Sequence, residues 1–531
     1  AGIRLYISLE VRFNGMYSVF YSAAINGIDG LIVNVESSSV GSPQPKLEII
    51  GLPDTAIKEA AGRVRSAARS CSLPLKKGLL TVNLAPADIR KEGSSYDLPI
   101  LLSLIDHPAF TKLDFSKKCF VGELSLSGEL RPISGALPMA IAARDAGFTE
   151  IYVPEENALE ASAAIGIKAF PVKNARQVFD HLLGGKPIKP VEFPEEEFFK
   201  ATQTCALDFA DVKGQESAKK ALEIAAAGGH NILLIGPPGS GKSMLASRLP
   251  GIMPPMTLEE SIETSKIHSI ASLTADLKPL LTQRPFRAPH HTLSHIALTG
   301  GGSYPKPGEI SLANNGVLFL DEFPEFDKRA IEVLRQPIEN REVVITRVNG
   351  TVTYPASFLL VCAMNPCKCG YFGHPTKECI CSVNSRKAYI AKLSGPILDR
   401  IDLQVEVGAL EFEELDTAVA AESSESIRKH VCEAREFALA RFEGETLSNG
   451  KKLTANALMQ PKHIRKYCVT DEAGKELLHA AFNKLTLSAR GYDKILKVAR
   501  TIADFDKSEI IRAPHIALAV QLRSLDKKYG K

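Results

Sequence analysis

The 531-residue sequence has no tryptophan, no internal repeat and no apolar run near the ~20 residues that a membrane-spanning helix requires. Its apolar stretches, such as Ile232–Ile235 and Val317–Leu320, are of buried-strand length. An excess of one charge is also missing, since 64 basic residues face 61 acidic ones. The formal net charge of +3 neither announces a nucleic-acid partner nor excludes one, because a local groove can be basic within a balanced whole. Residues 1–15 lack the apolar core and cleavage site of a secretory signal and carry Arg4, Glu10 and Arg12. They are read as an N-terminal extension, with Met16 opening the first strand.

What is present is an ordinary globular composition, 45% hydrophobic and 24% charged, in a chain too long for one core. Roughly three or four domains are expected. Of the ten cysteines, Cys71, Cys119, Cys205, Cys362, Cys432 and Cys468 are scattered, which reads as reduced thiols of a cytoplasmic protein. Residues 16–185 alternate strands, at 31–35 and 79–83, with amphipathic helices at 56–68 and 139–146. Proline and glycine punctuation before Glu195-Glu196-Glu197 marks a linker over 186–207. From 208 to 410 the order strand, glycine loop, helix predicts a parallel α/β sheet, with strands at 232–235, 317–320 and 358–363. Helical patterns at 414–442, 462–485 and 491–504 then predict an all-helical end domain over 411–531.

The run Gly236-Pro237-Pro238-Gly239-Ser240-Gly241-Lys242-Ser243 matches the phosphate-binding P-loop. Its glycines let backbone N–H groups turn inward around phosphate oxygens, and the next helix adds its positive end. Lys242 would reach the β and γ phosphates of ATP, and Ser243 would hold Mg²⁺. The apolar strand 317–320 delivers Asp321 to the Mg²⁺ shell and Glu322 to the attacking water. The third strand ends at Asn365, either a water-orienting side chain or a turn residue before Pro366.

The order of these elements resembles the AAA+ ATPases, and residues 208–215 are similar to that superfamily's entry segment. The segment 393–403 resembles the finger segment of the magnesium-chelatase and minichromosome-maintenance branch. The resemblance implies that Arg400 reaches a neighbouring subunit's phosphate; the plain alternative is an ion pair with Asp399 or Asp402. Arg490 resembles the second sensor, with Arg500 as its alternative. A finger acting between subunits implies a homo-oligomeric ring, usually a hexamer. Residues 284–291, 300–310 and 341–350 narrow the resemblance to the magnesium-chelatase-like ComM/YifB group, over nearly the whole chain from about residue 16. That family resembles ring helicases that migrate branched DNA in natural transformation. The implied partners are single-stranded and branched DNA, with recombinase or competence proteins, and no membrane. Asn314 departs from the family, which has His there.

Alternation around Asn349-Gly350 predicts a hairpin over 343–354. Arg347 near its tip and Lys306 in the preceding glycine-rich loop are candidate phosphate contacts, or else ordinary surface charges. His290 and His291 read as a structural pair in preference to a metal site.

Cys367, Cys369, Cys379 and Cys381 offer four thiolates to a tetrahedral, structural Zn²⁺, with His374 as a possible substitute and two disulfides as the alternative. Residues 16–185 resemble the Lon-protease-like fold, of the ribosomal S5 domain 2 type, through 90–99 and 122–135. Ser95 falls near that fold's nucleophile, but the position of the lysine base is Leu137. A leucine cannot take a proton, so no peptidase activity is expected. Arg63, Arg65, Arg69, Lys76 and Lys77 form a basic stretch, for DNA or simply a solvated face. Besides a branch-migration motor, the alternatives are a metal-chelatase motor subunit and an ATP-dependent protease.

Overall fold

The computed structural model describes residues 17–42, 46–87, 91, 93–202, 207–271, 280–302, 305–347, 350–393, 395–408, 421–485 and 487–523. The extension 1–15, Met16, Cys205 and the hairpin turn at 348–349 lie outside the described residues. The chain forms two compact units, Ala1–Glu195 with Ser265–Leu281, and Glu196–Thr264 with Thr282–Lys531. Residues 265–281, which the sequence assigns to 208–410, therefore belong with the first unit.

The first unit is built on a seven-stranded mixed sheet. Its strands are β1 (Ser18–Asn26), β2 (Asp29–Val40), β3 (Lys46–Ile50), β4 (Leu79–Ala85), β5 (Lys118–Phe120), then, after the short hairpin β6 (Glu123–Leu124) and β7 (Leu130–Arg131), β8 (Glu150–Pro154) and β9 (Lys168–Val172). The order is β3-β4-β2-β1-β5-β8-β9. β1 and β2 are antiparallel around a turn that Gly27 makes at φ 66°, a region glycine enters freely. Helix α1 (Thr55–Ser70) starts at Asp54, whose carboxylate accepts from Ile57 N–H at 2.8 Å. Ile57, Ala60, Val64, Ala67 and Ala68 recur at helical spacing and bury that face. The stretch 186–207 departs from a plain linker. Val191 bridges Ala169, and Glu195–Thr202 is a helix. Its three leading glutamates sit where the helix dipole favours carboxylates.

The second unit holds a parallel five-stranded sheet of β10 (Ile232–Ile235), β11 (Phe286–Arg287), β14 (Val317–Leu320), β17 (Leu359–Met364) and β18 (Leu403–Glu406). Its order is β11-β14-β17-β10-β18. The first of these strands in the sequence thus lies between the fourth and the fifth. Every residue of β10, β14 and β17 is buried, as strands covered on both faces must be. Outside this sheet are the pairs β12 (Gly300–Gly301) with β13 (Lys306–Pro307), and β15 (Glu342–Arg347) with β16 (Gly350–Pro355).

After β18 the described chain is helical, with Ser424–Arg441, Pro461–Tyr467, Glu472–Leu485, Ala489–Phe505 and Ala513–Gln521. Ile427, Val431, Ile495 and Ile516 join the same hydrophobic core as Ile232, Leu234 and Val405. The helical end is continuous with the sheet's core. No helix among the described residues is long and apolar enough to cross a membrane.

Candidate active site

The P-loop follows β10, whose neighbour β17 leads into Asn365 and whose next strand but one, β14, leads into Asp321. Ligands of parallel sheets bind at these carboxyl ends, where strand order reverses. Gly236 N–H donates to Met364 O at 3.1 Å, and a Cβ on Gly236 would lie 2.2 Å from Val407 O, so only glycine fits. Gly241 (φ 86°) caps helix Lys242–Ile252, whose first N–H groups face the loop.

The Lys242 ammonium is folded into the loop, donating to Gly236 O and Pro237 O at 2.8 Å each and lying 3.4 Å from Asn365 Oδ1. Burial lowers its pKa, and the nearby Asp321 carboxylate works against that shift. Ser243 Oγ donates to Asp321 Oδ2 at 2.7 Å. Adjacent ligands of an octahedral Mg²⁺ with bonds of ~2.0–2.1 Å lie about 2.9 Å apart, so this hydroxyl–carboxylate pair fits that ion. The other Asp321 oxygen accepts from Glu322 N–H at 2.8 Å. Glu322 has φ 50°, an uncommon conformation for a side-chain-bearing residue and one that recurs at functional sites.

The Glu322 carboxylate meets His291 Nδ1 at 3.1 Å, and the His291 ring packs on His290 at 4.1 Å between centroids. Nothing in the spacing of residues 291 and 322 signals this contact in the sequence. His290 is engaged with Thr292 Oγ1 at 2.9 Å.

The structure brings Lys242, Ser243, Asp321, Glu322 and Asn365 together and leaves the arginines elsewhere. Arg400 donates to Pro396 O at 2.6 Å and pairs with Glu339 at 2.5 Å, its partner being neither Asp399 nor Asp402. Asp402 is instead buried against Lys494 at 2.8 Å and accepts from Asn231 N–H at 3.1 Å. Burial alone would raise the Asp402 carboxyl; Lys494 and His230 more than offset this and hold it far below the usual range. Arg490 is exposed in the first turn of Ala489–Phe505. Arg500, its alternative, is fully buried against Asp504, Ser508 O and Glu509 O. A side chain so enclosed cannot reach a phosphate, and the Arg500 alternative falls.

The family-like motifs around the site are largely framework. Arg287 makes a bidentate pair with Glu309 at 2.6 and 2.8 Å. Asn314 is fully buried, donating to Glu263 and accepting from Ser357 N–H, both at 2.7 Å. Asn314 thus serves the packing behind the site.

β15 and β16 pair with Arg347 opposite Gly350, as a hairpin requires. Tyr354 donates to Pro305 O at 2.7 Å, tying this hairpin to the glycine-rich one. Lys306 pairs with Gly301, and the Arg347 guanidinium lies 3.1 Å from where a Cβ on Gly301 would stand. The two exposed basic residues are therefore neighbours. A groove of about 480 Å³ lined by Glu332, Arg335, Thr346 and Arg347 adjoins them.

The Cys367, Cys369, Cys379 and Cys381 sulfurs all lie within 4.8 Å of one another. His374 is outside this group; its Nδ1 accepts from the Thr376 and Lys377 amides at 3.1 Å each, so it closes the turn and is not a ligand substitute.

In the first unit Leu137 is fully buried at the start of Ala136–Asp145, and Ser95 is buried. The basic stretch divides. Arg63 holds Asp97 at 2.7 and 3.0 Å, and Lys76 is buried against Ser103 O at 2.9 Å, leaving Arg65, Arg69 and Lys77 exposed.

Models of the magnesium chelatase family match most of the chain: subunit ChlI of Mg-chelatase over residues 35–157, magnesium chelatase subunit ChlI over 208–415 and its C-terminal part over 421–523. Competence protein ComM of Haemophilus influenzae is 40% identical over 513 residues, 96% of this chain and 97% of the relative. The uncharacterized protein YifB of Escherichia coli is 40% identical over 518 residues, with the same coverage of 96% and 97%. The magnesium-chelatase 38 kDa subunit of Cereibacter sphaeroides is 26% identical over 177 residues, 30% of this chain and 52% of that subunit. These likenesses support an AAA+ ATPase with ATP and Mg²⁺ as its ligands. With its P-loop, acidic strand and parallel sheet in this arrangement, the chain belongs to the ComM/YifB family of magnesium-chelatase-like proteins.

Proposed function

We propose that this chain is an ATP-driven DNA translocase that migrates branched recombination intermediates in natural transformation. Its ATPase part rests on the 2.7 Å Ser243–Asp321 hydrogen bond, which joins P-loop and acidic strand close to the ~2.9 Å between adjacent ligands of an octahedral Mg²⁺, and the observation that carries its DNA part is the pair of neighbouring exposed cations Lys306 and Arg347. In this reading Lys242 exchanges loop carbonyls for the β and γ phosphates, the stronger acceptors. Glu322 polarises the attacking water, and Asn365 orients it. Bound Mg²⁺ would neutralise phosphate charge held by Ser243 and Asp321.

Arg400 exchanges Glu339 for the γ-phosphate of a neighbouring subunit, and Arg490 adds a second phosphate contact. Such a trans contact requires a ring of identical chains, taken as a hexamer. The adjoining hairpins place Lys306 and Arg347 together, and two neighbouring cations suit a DNA backbone inside that ring. Competence or recombinase proteins in the cytoplasm are the partners this reading calls for. The four clustered thiols read as one structural Zn²⁺ site. The first unit is read as Lon-protease-like and without peptidase activity, since Leu137 offers no base.

The chelatase models favour a second reading, the motor subunit of a metal chelatase. The two separate on one experiment, ATP-dependent migration of a synthetic three-strand junction with Lys242→Ala as control. The translocase reading expects movement by the wild type alone. Hydrolysis without any junction movement under broad conditions overturns it.

A further inference from the structure

The cysteine loop abuts the P-loop. A methyl group on Gly370 would come within 2.6 Å of Pro238 Cδ and 2.8 Å of Pro238 Cγ, so the Pro238 ring packs directly on the bare glycine. Gly370 itself adopts φ 87° and donates its N–H to Cys367 O at 3.0 Å. That turn sets Gly370 directly after the first two cysteines. Five residues before Gly370 the loop departs from β17 through Asn365, whose Oδ1 lies 3.4 Å from Lys242 Nζ. The loop therefore touches the nucleotide site at two points, Pro238 and Asn365.

The sulfurs are arranged for one ion. Cys367 Sγ lies 3.3 Å from Cys369 Sγ and 3.6 Å from Cys379 Sγ, and Cys369 and Cys379 are 3.7 Å apart. A tetrahedral Zn²⁺ with Zn–S bonds of ~2.3 Å has sulfur–sulfur edges of about 3.8 Å. Disulfides would bring sulfurs to ~2.05 Å in pairs, leaving no reason for three to be mutually close. Arg386 supplies countercharge: its guanidinium donates to Cys381 O at 3.0 Å and lies 4.0 Å from Cys379 Sγ. Partners of this kind orient metal ligands from outside the coordination sphere.

We propose that Zn²⁺ held by Cys367, Cys369, Cys379 and Cys381 is a strut for the P-loop, so that nucleotide affinity depends on whether the thiolate site is filled. This rests on the Zn²⁺ reading of the four thiols. Four protein ligands leave no open position, so the ion does no chemistry of its own. What it does is close a short loop that would otherwise be free to move. With the loop pinned, Gly370 limits where Pro238 can go and the chain leaving Asn365 is held. Without the ion the same contact surfaces exist, but they are held by a few hydrogen bonds alone, such as Gly370 N–H to Cys367 O and Arg386 to Cys381 O.

The test uses the full chain and two readouts, zinc content by elemental analysis and the dissociation constant of a fluorescent ATP analogue. The expected result is one Zn²⁺ per chain. Stripping it with a thiol reagent and chelator weakens nucleotide binding about tenfold, and reversing the modification and adding Zn²⁺ back restores it. Gly370→Ala keeps all four thiols, so it keeps zinc, yet it also weakens binding about tenfold because its methyl strikes Pro238 at a positive φ. If zinc removal from the wild type, or Gly370→Ala in a zinc-loaded preparation, leaves affinity unchanged, the strut fails while the metal site stands. If the purified chain holds no zinc, takes none up and still binds nucleotide tightly, the Zn²⁺ reading itself fails.

Discussion

His291 Nδ1 lies 3.1 Å from the carboxylate of Glu322, the residue that follows the acidic strand. Glu322 is 56% exposed at its side chain, so without this partner its carboxylate would sample many rotamers. Replacing His291 with Ala should therefore lower kcat for ATP about tenfold and leave nucleotide affinity within about twofold, since a base must be held within reach of its water. Unchanged kcat in steady-state hydrolysis would show that the contact orients nothing.

Ser243 and Asp321 each bring one oxygen to the same point. Ser243→Ala and Asp321→Asn should raise the Mg²⁺ concentration for half-maximal hydrolysis by about tenfold or more. A Mg²⁺ titration of each variant at saturating ATP measures this. Identical titration curves for wild type and both variants would remove these residues from the ion's shell.

Arg400 is tied to Glu339 within one chain, and the proposed ring asks it to serve another. Arg400→Ala should bind ATP yet hydrolyse it at least about a hundredfold more slowly. Mixing it with Lys242→Ala chains, which have the arginine and lack a working P-loop, should restore part of the hydrolysis. Recovery requires shared sites, so a mixture no more active than its parts rules out the trans role.

Lys306 and Arg347 are neighbours on the two hairpins. Each change to Ala should weaken binding of single-stranded DNA and reduce the slope of log affinity against log salt by about 0.7. Filter binding or anisotropy across a salt series gives that slope. Slopes equal to wild type would make both residues ordinary surface charges.

Asp402 links β18 to the helical end through Lys494. Its folded pKa is depressed, so its contribution to stability is present above the unfolded carboxyl pKa of about 3.9 and is lost as pH falls from there toward the lower folded value. Asp402→Asn should be clearly less stable than wild type at pH 6, and the gap should narrow by about 1 kcal/mol per pH unit below about pH 4. Urea unfolding at pH 6, 4 and 3 follows the gap, and a constant gap would mean that the carboxylate's charge is not what stabilises.

Much of the site was legible because its signals are local. Ile232–Ile235 and Val317–Leu320 are strands over the very residues that their apolar runs mark, since a strand buried on both faces must be apolar throughout. The glycine spacing of the P-loop reflects φ values and close approaches that only glycine allows, as at Gly236 and Gly241. The 343–354 hairpin and the four-cysteine cluster likewise announce themselves within a dozen or so residues. Tertiary structure alone decided the rest. It buried Arg500 and left Arg490 exposed, although both lie on one helix, because burial depends on which face meets the core. It gave Arg400 to Glu339, Glu322 to His291 and Pro238 to Gly370, three contacts between residues that no local period connects. Local rules choose elements and turns from neighbouring residues; a contact across sixty or a hundred and thirty positions exists only after the sheet has ordered its strands and brought their ends to one edge.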